Sequence, residues 1–594
     1  MLEFPHDVPL LLRKRRGLVR TLSERDGLVP VRLAIMGGST THEVASWIEL
    51  FLLDRGIKPL IHQSEYNRYF EETVLEPGGL AAFAPDVVYL HLSTADLRYT
   101  PDATATEEAF EAAVRERMDR LRSVWAAVWT AASCQIVQNT FEPPALRPLG
   151  HLDASSFGGG AHFVGHLNQE LAREARRDSR LLLHDSASLV ATRHIADWFA
   201  PDRWVSYKIP TTAEADLVLG HSIAALIAAA FGRSRKCLVL DLDNTLWGGV
   251  IGDDGPEHIV IGRETPRGEA YTAFQEYCKA LARRGVLLAV CSKNDDAMAR
   301  RGFAHPDSVL RLDDFAAFRA NWEPKSDGIR AIAAELNLGL ESFVFVDDNP
   351  AERALVAGEL PAVAVPNVGG DVIRFPEILD AARYFESVAI SAEDVQRTHL
   401  YAQNAQRDAQ ARSYTDYDAY LASLDMVAEI AAFTPTYLDR ITQLTNKTNQ
   451  FNLTTRRYSK AELEAIAADE RYVTLYGRLA DTFGDNGLVS VIVGRRDDTA
   501  LHLDLWLMSC RVLKRGMEDA MLDALVARAR EIGVDRLIGT YCPTERNGMV
   551  ATHYAGLGFE RLTPGADGAR SDWVLDLNRP YAPRTRHIRT AVGV

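Results

Sequence analysis

Two carboxylates follow a short apolar segment near the middle of the chain. Asp241 and Asp243 come directly after residues 237–240, a run typical of a buried parallel strand. Open α/β sheets bind their ligands at the carboxyl ends of such strands, and hard oxygen ligands suit Mg²⁺. The pair therefore indicates a divalent-cation site, or alternatively two solvated acids that cap the next helix.

Three further segments carry polar groups at positions that match this pair. Ser292 ends a second apolar strand pattern, Lys325 opens a helical pattern, and Asp347 and Asp348 follow a third apolar run. The order of acid pair, serine, lysine and acid pair resembles that of the haloacid dehalogenase (HAD) superfamily of phosphotransferases. The resemblance implies a Rossmann-like α/β domain that binds Mg²⁺.

The resemblance also assigns roles to these residues. Asp241 would take the phosphoryl group as an aspartyl-phosphate, and Asp243 would protonate the leaving oxygen and then activate water. The phosphate-binding set would be Thr245, Ser292, Lys293, Lys325 and Asn349. The Mg²⁺ ligands would be Asp241, Asp243, Asp347 and Asp348.

The spacing inside this region leaves no room for a cap domain. Residues 250–262 predict a short hairpin, residues 266–284 predict a helix with Pro266 in its first turn, and the interval from Ser292 to Lys325 is short. A capless site implies that another domain closes it, or that the phosphate arrives on a bulky carrier.

Composition restricts the class of protein. The 594 residues carry a formal net charge of -15, which argues against non-specific nucleic-acid binding. The six cysteines lack CxxC spacing, which argues against a zinc site or a disulfide framework and favours a reducing cytoplasm. The apolar tract at 217–231 is short for a membrane span and predicts a buried helix, so no membrane partner is expected.

The first 232 residues predict a parallel α/β domain. Strand patterns at 31–36, 87–92, 135–139 and 181–185 alternate with helical stretches. Ser39, just after the first strand, resembles the nucleophile of the SGNH hydrolase fold, which is flavodoxin-like. The Asp-x-x-His pair of that family is not evident, and His184, His194 and His221 are the candidates for its histidine. The alternative is that Ser39 is a turn residue or helix cap in a domain that only binds a partner or a substrate.

The C-terminal part resembles a mixed α/β acetyltransferase domain of the GNAT family. Residues 553–559 resemble the end of that domain, and the turn from Arg511 to Gly516 stands where the family binds the pyrophosphate of coenzyme A. This turn holds one glycine, so the phosphopantetheine arm of a carrier protein is the expected substitute. Arg511 and Arg515 are assigned to binding it.

Cys510 precedes this cationic turn. Neighbouring cations and a helix start favour a thiolate, which could accept an acyl group as a thioester, with His502 or His553 as base. The alternative is a small buried apolar side chain. Upstream, residues 444–457 are rich in amides and hydroxyls. They predict either a surface turn or a site for a polar acyl group or its carrier, formed by Asn446, Lys447, Asn449, Gln450 and Asn452.

Residues 241–255 together with 346–350 are similar to the FkbH-like family, whose long members join SGNH-like, HAD-like and GNAT-like domains. The expected domains are 1–232, 233–385, a helical linker at 386–425, and 426–594. The resemblance implies an enzyme that loads a glyceryl unit from 1,3-bisphosphoglycerate onto an acyl carrier protein in polyketide-type biosynthesis and removes the phosphate. The alternatives are a phosphatase of another metabolite with an accessory acyl-binding domain, and a non-catalytic scaffold for carrier proteins.

Overall fold

The computed structural model describes residues 2–97, 99–100, 102–192, 197–411, 414–448, 450–544, 547–562 and 570–591. Some side chains inside helices, those of Lys447 and Cys510 among them, also lie outside the described part. The chain divides into two compact units, one made of residues 7–233 with 459–462 and one made of the remainder. The fold class is multi-domain α/β, as predicted.

The first unit is built on a five-stranded parallel sheet with strand order β2-β1-β3-β4-β5. Its strands are β1 (Val29–Gly37), β2 (Ile57–Gln63), β3 (Val87–His91), β4 (Gln135–Asn139) and β5 (Leu181–His184). The four predicted strands are confirmed. The strand β2 was not predicted, because Pro59 and several polar residues interrupt its apolar pattern.

Nine α-helices lie between residues 7 and 233 in the described part of this unit. They are α1 (Val8–Ser23), α2 (His42–Asp54), α3 (Gly78–Phe83), α4 (Thr94–Leu97), α5 (Glu107–Ala131), α6 (Gly160–Arg177), α7 (Ser186–Ala191), α8 (Pro201–Tyr207) and α9 (Ala213–Ala230). Within the described residues, α9 is the one helix whose length and composition would allow it to cross a membrane. Because 83% of its apolar window is buried, the prediction of a buried helix is confirmed.

The second unit contains a four-stranded parallel sheet with strand order β8-β7-β6-β9. Its elements are β6 (Cys237–Leu240), α10 (Ile251–Asp254), α11 (Pro266–Arg283), β7 (Leu287–Ser292), α12 (Asp296–Gly302), β8 (Phe315–Ala320), α13 (Lys325–Glu335), β9 (Phe343–Val346), α14 (Pro350–Glu359) and α15 (Phe375–Ala381). The predicted hairpin at 250–262 is wrong. Residues 251–254 form one helical turn, and Val260 pairs with Gly248 through a single bridge.

Three helices follow this sheet, in the stretch where a helical linker was predicted. They are α16 (Ala392–Val395), α17 (Arg397–Ala411) and α18 (Tyr417–Ser423). Tyr401 of α17 packs into one core of the four-stranded sheet. Arg407 of the same helix donates to Asp481 with an Nη2–Oδ1 distance of 2.7 Å, and both side chains are fully buried. Helix α17 is therefore held at two points, by the apolar packing of Tyr401 and by the buried ion pair of Arg407.

The rest of the second unit is organised around an eight-stranded mixed sheet with strand order β15-β16-β14-β13-β12-β11-β10-β17. The elements are β10 (Met426–Ala431), α19 (Leu438–Lys447), α20 (Lys460–Ala468), β11 (Tyr472–Asp481), β12 (Gly484–Arg496), β13 (Ala500–Met508), α21 (Met517–Glu531), β14 (Arg536–Tyr541), α22 (His553–Gly556), β15 (Glu560–Arg561), β16 (Ser571–Asp576) and β17 (Ile588–Ala591).

The strands β13 and β14 pair in parallel only from Ala500 to Leu503 and then separate. The chain at residues 451–453 fills the gap between them. The amide of Leu453 donates to the carbonyl of Trp506 at 3.1 Å, and the amide of Cys542 donates to the carbonyl of Leu453 at 2.8 Å. This short segment therefore satisfies backbone groups that the separated strands would otherwise leave unpaired.

Candidate active site

The carboxyl ends of three neighbouring strands bring the predicted catalytic residues together. The strand β6 lies between β7 and β9, and all three run parallel. Asp241 follows β6, Ser292 ends β7, and Asp347 follows β9. Because the strands are fully buried apolar segments, packing fixes these three residues at one edge of the sheet.

Lys325 lies between two of the acids. Its Nζ is 3.0 Å from Oδ1 of Asp241 and 2.5 Å from Oδ2 of Asp347. Burial disfavours the charged lysine, but the two carboxylates outweigh that effect and raise the pKa of Lys325. The two acids therefore favour the charged form of Lys325 in the site.

Three carboxylates form a cluster that fits a divalent cation. Oxygen atoms of Asp241, Asp347 and Asp348 lie within 4.8 Å of one another, and among the described residues they are the one group of this kind. Burial and the nearby charge of Asp241 raise the pKa of both Asp347 and Asp348. Acids that repel one another in a buried site are suited to a hard cation, and the all-oxygen donor set fits Mg²⁺.

The side chain of Asp243 does not join this cluster in the described structure, unlike the expectation that it is a metal ligand. Its Oδ1 accepts from Nε1 of Trp247 at 2.9 Å and from the amide of Ile251 at 3.1 Å. Its Oδ2 accepts from Nδ2 of Asn294 at 3.0 Å. These three hydrogen bonds hold the carboxylate in one orientation, which suits an acid–base residue.

The remaining residues of the predicted phosphate-binding set lie around the same edge. The hydroxyl of Thr245 is 3.4 Å from Oδ1 of Asp348, and it accepts from the amide of Asp348 at 3.2 Å. The side chain of Asn349 caps α14 by accepting a backbone N–H, so its oxygen is already used. The hydroxyl of Ser292 accepts from Nδ2 of Asn294 at 3.2 Å.

Three residues of this site were missed from the sequence: Trp247, Asn294 and Glu352. The first two orient Asp243, and Glu352 accepts a hydrogen bond from Nζ of Lys293 at 2.6 Å. Trp247 and Asn294 could have been identified because they lie close in sequence to Asp243 and Ser292. Glu352 has no such signal, because only folding brings it next to Lys293.

Ser39 lies just after β1 in the first unit. Its side chain is 2% exposed, and its hydroxyl has no hydrogen-bond partner among the described residues. His184 ends β5, three strands away from β1, or about 14 Å at the usual strand spacing. The ring of His184 contacts the hydroxyls of Ser186 and Ser222, at 2.9 and 3.0 Å. His194 lies outside the described residues, and His221 packs against Phe51.

The structure does not bring His502 next to Cys510. The backbone of Cys510 begins a short 3-10 turn after β13, whereas its side chain lies outside the described part. His502 lies near the opposite end of β13, about 20 Å from Met508 at the usual strand rise. Its Nε2 is 2.6 Å from Oδ2 of Asp497 in the preceding turn. An extended strand therefore separates the expected base from the expected nucleophile.

His553 lies closer to that end of the strand. Its ring packs edge to face against Trp506 and Phe451, with centroid distances of 4.7 and 4.9 Å. Burial lowers the pKa of His553 to about 3, so the ring is neutral near pH 7. Of the two histidines considered, His553 is thus the one placed near the carboxyl end of β13.

The amide-rich segment makes hydrogen bonds within its own chain. Nδ2 of Asn446 donates to the carbonyls of Thr442 and Tyr458, at 3.0 and 3.1 Å. Asn452 is fully buried, and its Oδ1 accepts from the amide of Thr455 at 2.9 Å. Gln450 is half-buried, whereas Asn449 and the side chain of Lys447 lie outside the described part. The two described asparagines therefore support local structure, which differs from the expected ligand-binding role.

Arg515 is also buried. A residue that binds a carrier protein would instead be expected to be exposed. Arg515 donates to Oδ2 of Asp481 at 3.2 Å, to Asn404 at 3.0 Å and to the carbonyl of Arg511 at 2.8 Å. Nε of Arg511 donates to the hydroxyl of Ser509 at 3.2 Å. A sequence pattern cannot show whether a guanidinium points outward or pairs with an acid distant in the chain.

The chain is similar to a solved structure, the N-terminal part of the protein BF1531 from Bacteroides fragilis, which contains a phosphatase domain and was crystallised with Mg. The two are 30% identical, the match covers 63% of this chain and 99% of that one, and the TM-score is 0.58. No protein-family model matches the chain. No curated protein matches it either.

Two acetyltransferase structures match about a quarter of the chain. The ribosomal-protein-S18-alanine N-acetyltransferase from Escherichia coli is 17% identical, with a TM-score of 0.20 and 25% of this chain and 91% of that chain covered. The GNAT domain of PAT from S. lividans is 16% identical, with a TM-score of 0.21 and coverages of 25% and 89%. These TM-scores are too low to support an argument about activity.

Proposed function

This chain belongs to the family of the Bacteroides fragilis protein BF1531, and on that premise we propose that it is a Mg²⁺-dependent phosphatase of the HAD type. The observation that carries this proposal is the convergence of Asp241, Lys325, Asp347 and Asp348 at one sheet edge. Phosphoryl transfer needs positioning and charge neutralisation, and this cluster supplies both.

The residues divide the reaction between them. An oxygen of Asp241 attacks phosphorus, and the bond from phosphorus to the leaving oxygen breaks as Asp243 donates a proton to that oxygen. Water then attacks the phosphorus of the aspartyl-phosphate, Asp243 takes the proton, and inorganic phosphate leaves. Lys325 neutralises negative charge beside Asp241 throughout.

Asp241, Asp347 and Asp348 would hold the cation. When bound, Mg²⁺ neutralises charge on the phosphoryl oxygens and on the three carboxylates.

Phosphate release by purified enzyme tests this function. Asp241→Asn keeps the shape of the side chain and removes the nucleophile, so release should fall by about a thousandfold or more. Asp380→Asn changes an exposed acid of α15 and serves as the control. A wild-type rate in Asp241→Asn would refute the assignment of the chemistry.

We further propose that the enzyme loads a glyceryl group onto a carrier protein. The similarity of residues 241–255 and 346–350 to the FkbH-like family supports this more specific function. A thiolate attacks the acyl carbon of 1,3-bisphosphoglycerate, the bond to the acyl phosphate breaks, and phosphate leaves with the electron pair. Cys510 would hold the resulting phosphoglyceryl thioester and pass it to the phosphopantetheine thiol of an acyl carrier protein. Asp241 would remove the second phosphate, in a cytoplasmic enzyme.

Intact-mass analysis of a carrier protein tests this step. After incubation with enzyme, Mg²⁺ and 1,3-bisphosphoglycerate, the carrier should gain a glyceryl group, and with Asp241→Asn enzyme it should keep the phosphate. Cys510→Ala should abolish loading but leave phosphate release from a supplied phosphoglyceryl carrier. Undiminished loading by Cys510→Ala would instead show direct transfer to the carrier thiol.

A second candidate function is a phosphatase of another metabolite whose C-terminal region only binds an acyl group. The position of His502 favours it, because this histidine lies at the opposite end of β13 from Cys510 and pairs with Asp497, so it is not placed to activate a thiol for acyl transfer. The same assay decides, since this candidate predicts phosphate release with no acyl group on any carrier.

A further inference from the structure

An ion pair crosses the strand end that carries Asp241. Lys293 follows β7, and Glu352 lies in the first turn of α14, which follows β9. Because β6 lies between β7 and β9, the contact between Lys293 and Glu352 spans the end of β6. The distance from Nζ of Lys293 to Oε1 of Glu352 is 2.6 Å.

The two partners differ in exposure. The side chain of Glu352 is 14% exposed, and its Oε2 is buried without a hydrogen-bond partner among the described residues. The side chain of Lys293 is 38% exposed, whereas that of Lys325 is 4% exposed. The site thus has one lysine on its floor, engaged by two acids, and a second lysine nearer to solvent.

Lys293 has N–H donors that its contact with Glu352 does not use. An ammonium group has three N–H donors, and the contact with Glu352 uses one of them. A carboxylate that is mostly buried is a fixed partner, so it holds the ammonium in one place and limits its rotamers. An anion that binds beside Lys293 meets an ammonium group that is already held in position. Less side-chain entropy is therefore lost on binding than with an unrestrained lysine.

We propose that Lys293 binds a second anionic group of the substrate and that Glu352 is the residue that positions it. The inference rests on the proposed phosphatase function and narrows its substrate class. That class is phosphate compounds with another anionic group on the part that remains after phosphoryl transfer: a carboxylate, or a phosphate such as that of a phosphopantetheine arm.

Three small phosphate compounds distinguish whether the second anionic group is a carboxylate or a phosphate. Glycerol 3-phosphate has no second anion, 3-phosphoglycerate has a carboxylate, and glycerol 1,3-bisphosphate has a second phosphate. Wild-type enzyme with Mg²⁺ should show a higher kcat/KM for one or both of the compounds with a second anionic group than for glycerol 3-phosphate. Which one is preferred identifies the anion.

Variants of the pair test the assignment. Lys293→Ala should lower this preference by about tenfold or more, the usual effect of a hydrogen bond to a charged group, mainly by raising KM. Lys293→Arg should retain part of the preference because it keeps the charge. Glu352→Gln should raise KM for the preferred anion more than for glycerol 3-phosphate and change kcat less than KM.

The control is Lys279→Ala. Lys279 pairs with Asp314 at 2.8 Å, its side chain is similarly part-buried, and it lies in the last turns of α11, away from the catalytic edge. It should leave the preference unchanged. An equal loss of kcat/KM on all three compounds in Lys293→Ala would overturn the inference. A wild-type enzyme with no preference for a second anionic group would do the same. Absence of phosphate release from any compound by wild-type enzyme would instead refute the proposed function.

Discussion

Nζ of Lys325 lies 3.0 Å from Oδ1 of Asp241, and neither side chain is more than 9% exposed. The same ammonium also contacts Asp347, so one buried cation compensates two buried acids. A buried charge that loses its partner is strongly destabilising. Lys325 is therefore important for both the stability and the chemistry of this site.

Lys325→Met should lower the free energy of unfolding by about 3 to 5 kcal/mol, because it leaves two neighbouring carboxylates without compensation. Chemical denaturation in the presence of a chelator measures this. Lys279→Met removes a more exposed ion pair and should cost less. Equal stability of Lys325→Met and wild type would contradict the arrangement.

Magnesium should stabilise the enzyme. A ligand that binds only the folded state raises the melting temperature, and the rise grows with the ratio of the free ligand concentration to its Kd. The three clustered carboxylates predict such a rise in the wild type, a smaller one in Asp348→Asn, and no change from wild type in Asp380→Asn. Calorimetry with and without a chelator is the measurement, and an equal rise in Asp348→Asn would exclude this acid as a ligand.

Sequence patterns predicted most of this edge because Asp241, Ser292 and Asp347 stand at the ends of buried apolar strands. The strands β6, β7 and β9 were predicted for that reason, whereas the placing of Lys325 beside Asp241 followed from the resemblance to the HAD superfamily. The strand β8 was missed, because its alanines and Arg319 give no strong apolar run. The direction of Asp243, the burial of Arg515 and the contact of Glu352 with Lys293 depend on residues distant in sequence, which no local pattern specifies.

Ser39→Ala should leave phosphate release and carrier loading unchanged, and it should not destabilise the protein. The hydroxyl it removes is buried and has no partner among the described residues, so no hydrogen bond is lost. Ser93→Ala removes a hydroxyl that donates to Asp96 at 3.1 Å and should cost about 1 kcal/mol. A loss of activity of about a hundredfold in Ser39→Ala would show that this serine is a nucleophile.

Glu142 should make stability depend on pH. Burial raises the pKa of this acid to about 7, so the folded state holds a proton that the unfolded state has already lost above about pH 4.5. Stability should therefore fall as pH rises toward 7, by about 1.4 kcal/mol per pH unit, and level off above it. Glu142→Gln cannot ionise, and the difference between the two stability curves should show this slope. A constant difference would contradict the raised pKa.

In the proposed mechanism Asp241 carries the phosphoryl group, and peptide mass spectrometry tests this role most directly. Asp243→Asn should slow hydrolysis of the intermediate, because it removes the group that activates water. After incubation with Mg²⁺ and a phosphate substrate followed by acid quenching, the peptide containing Asp241 should gain one phosphoryl group in Asp243→Asn enzyme. The double variant with Asp241→Asn should show no such gain. A phosphoryl group on another residue, or an unmodified Asp241 peptide in enzyme that still turns over, would contradict the account.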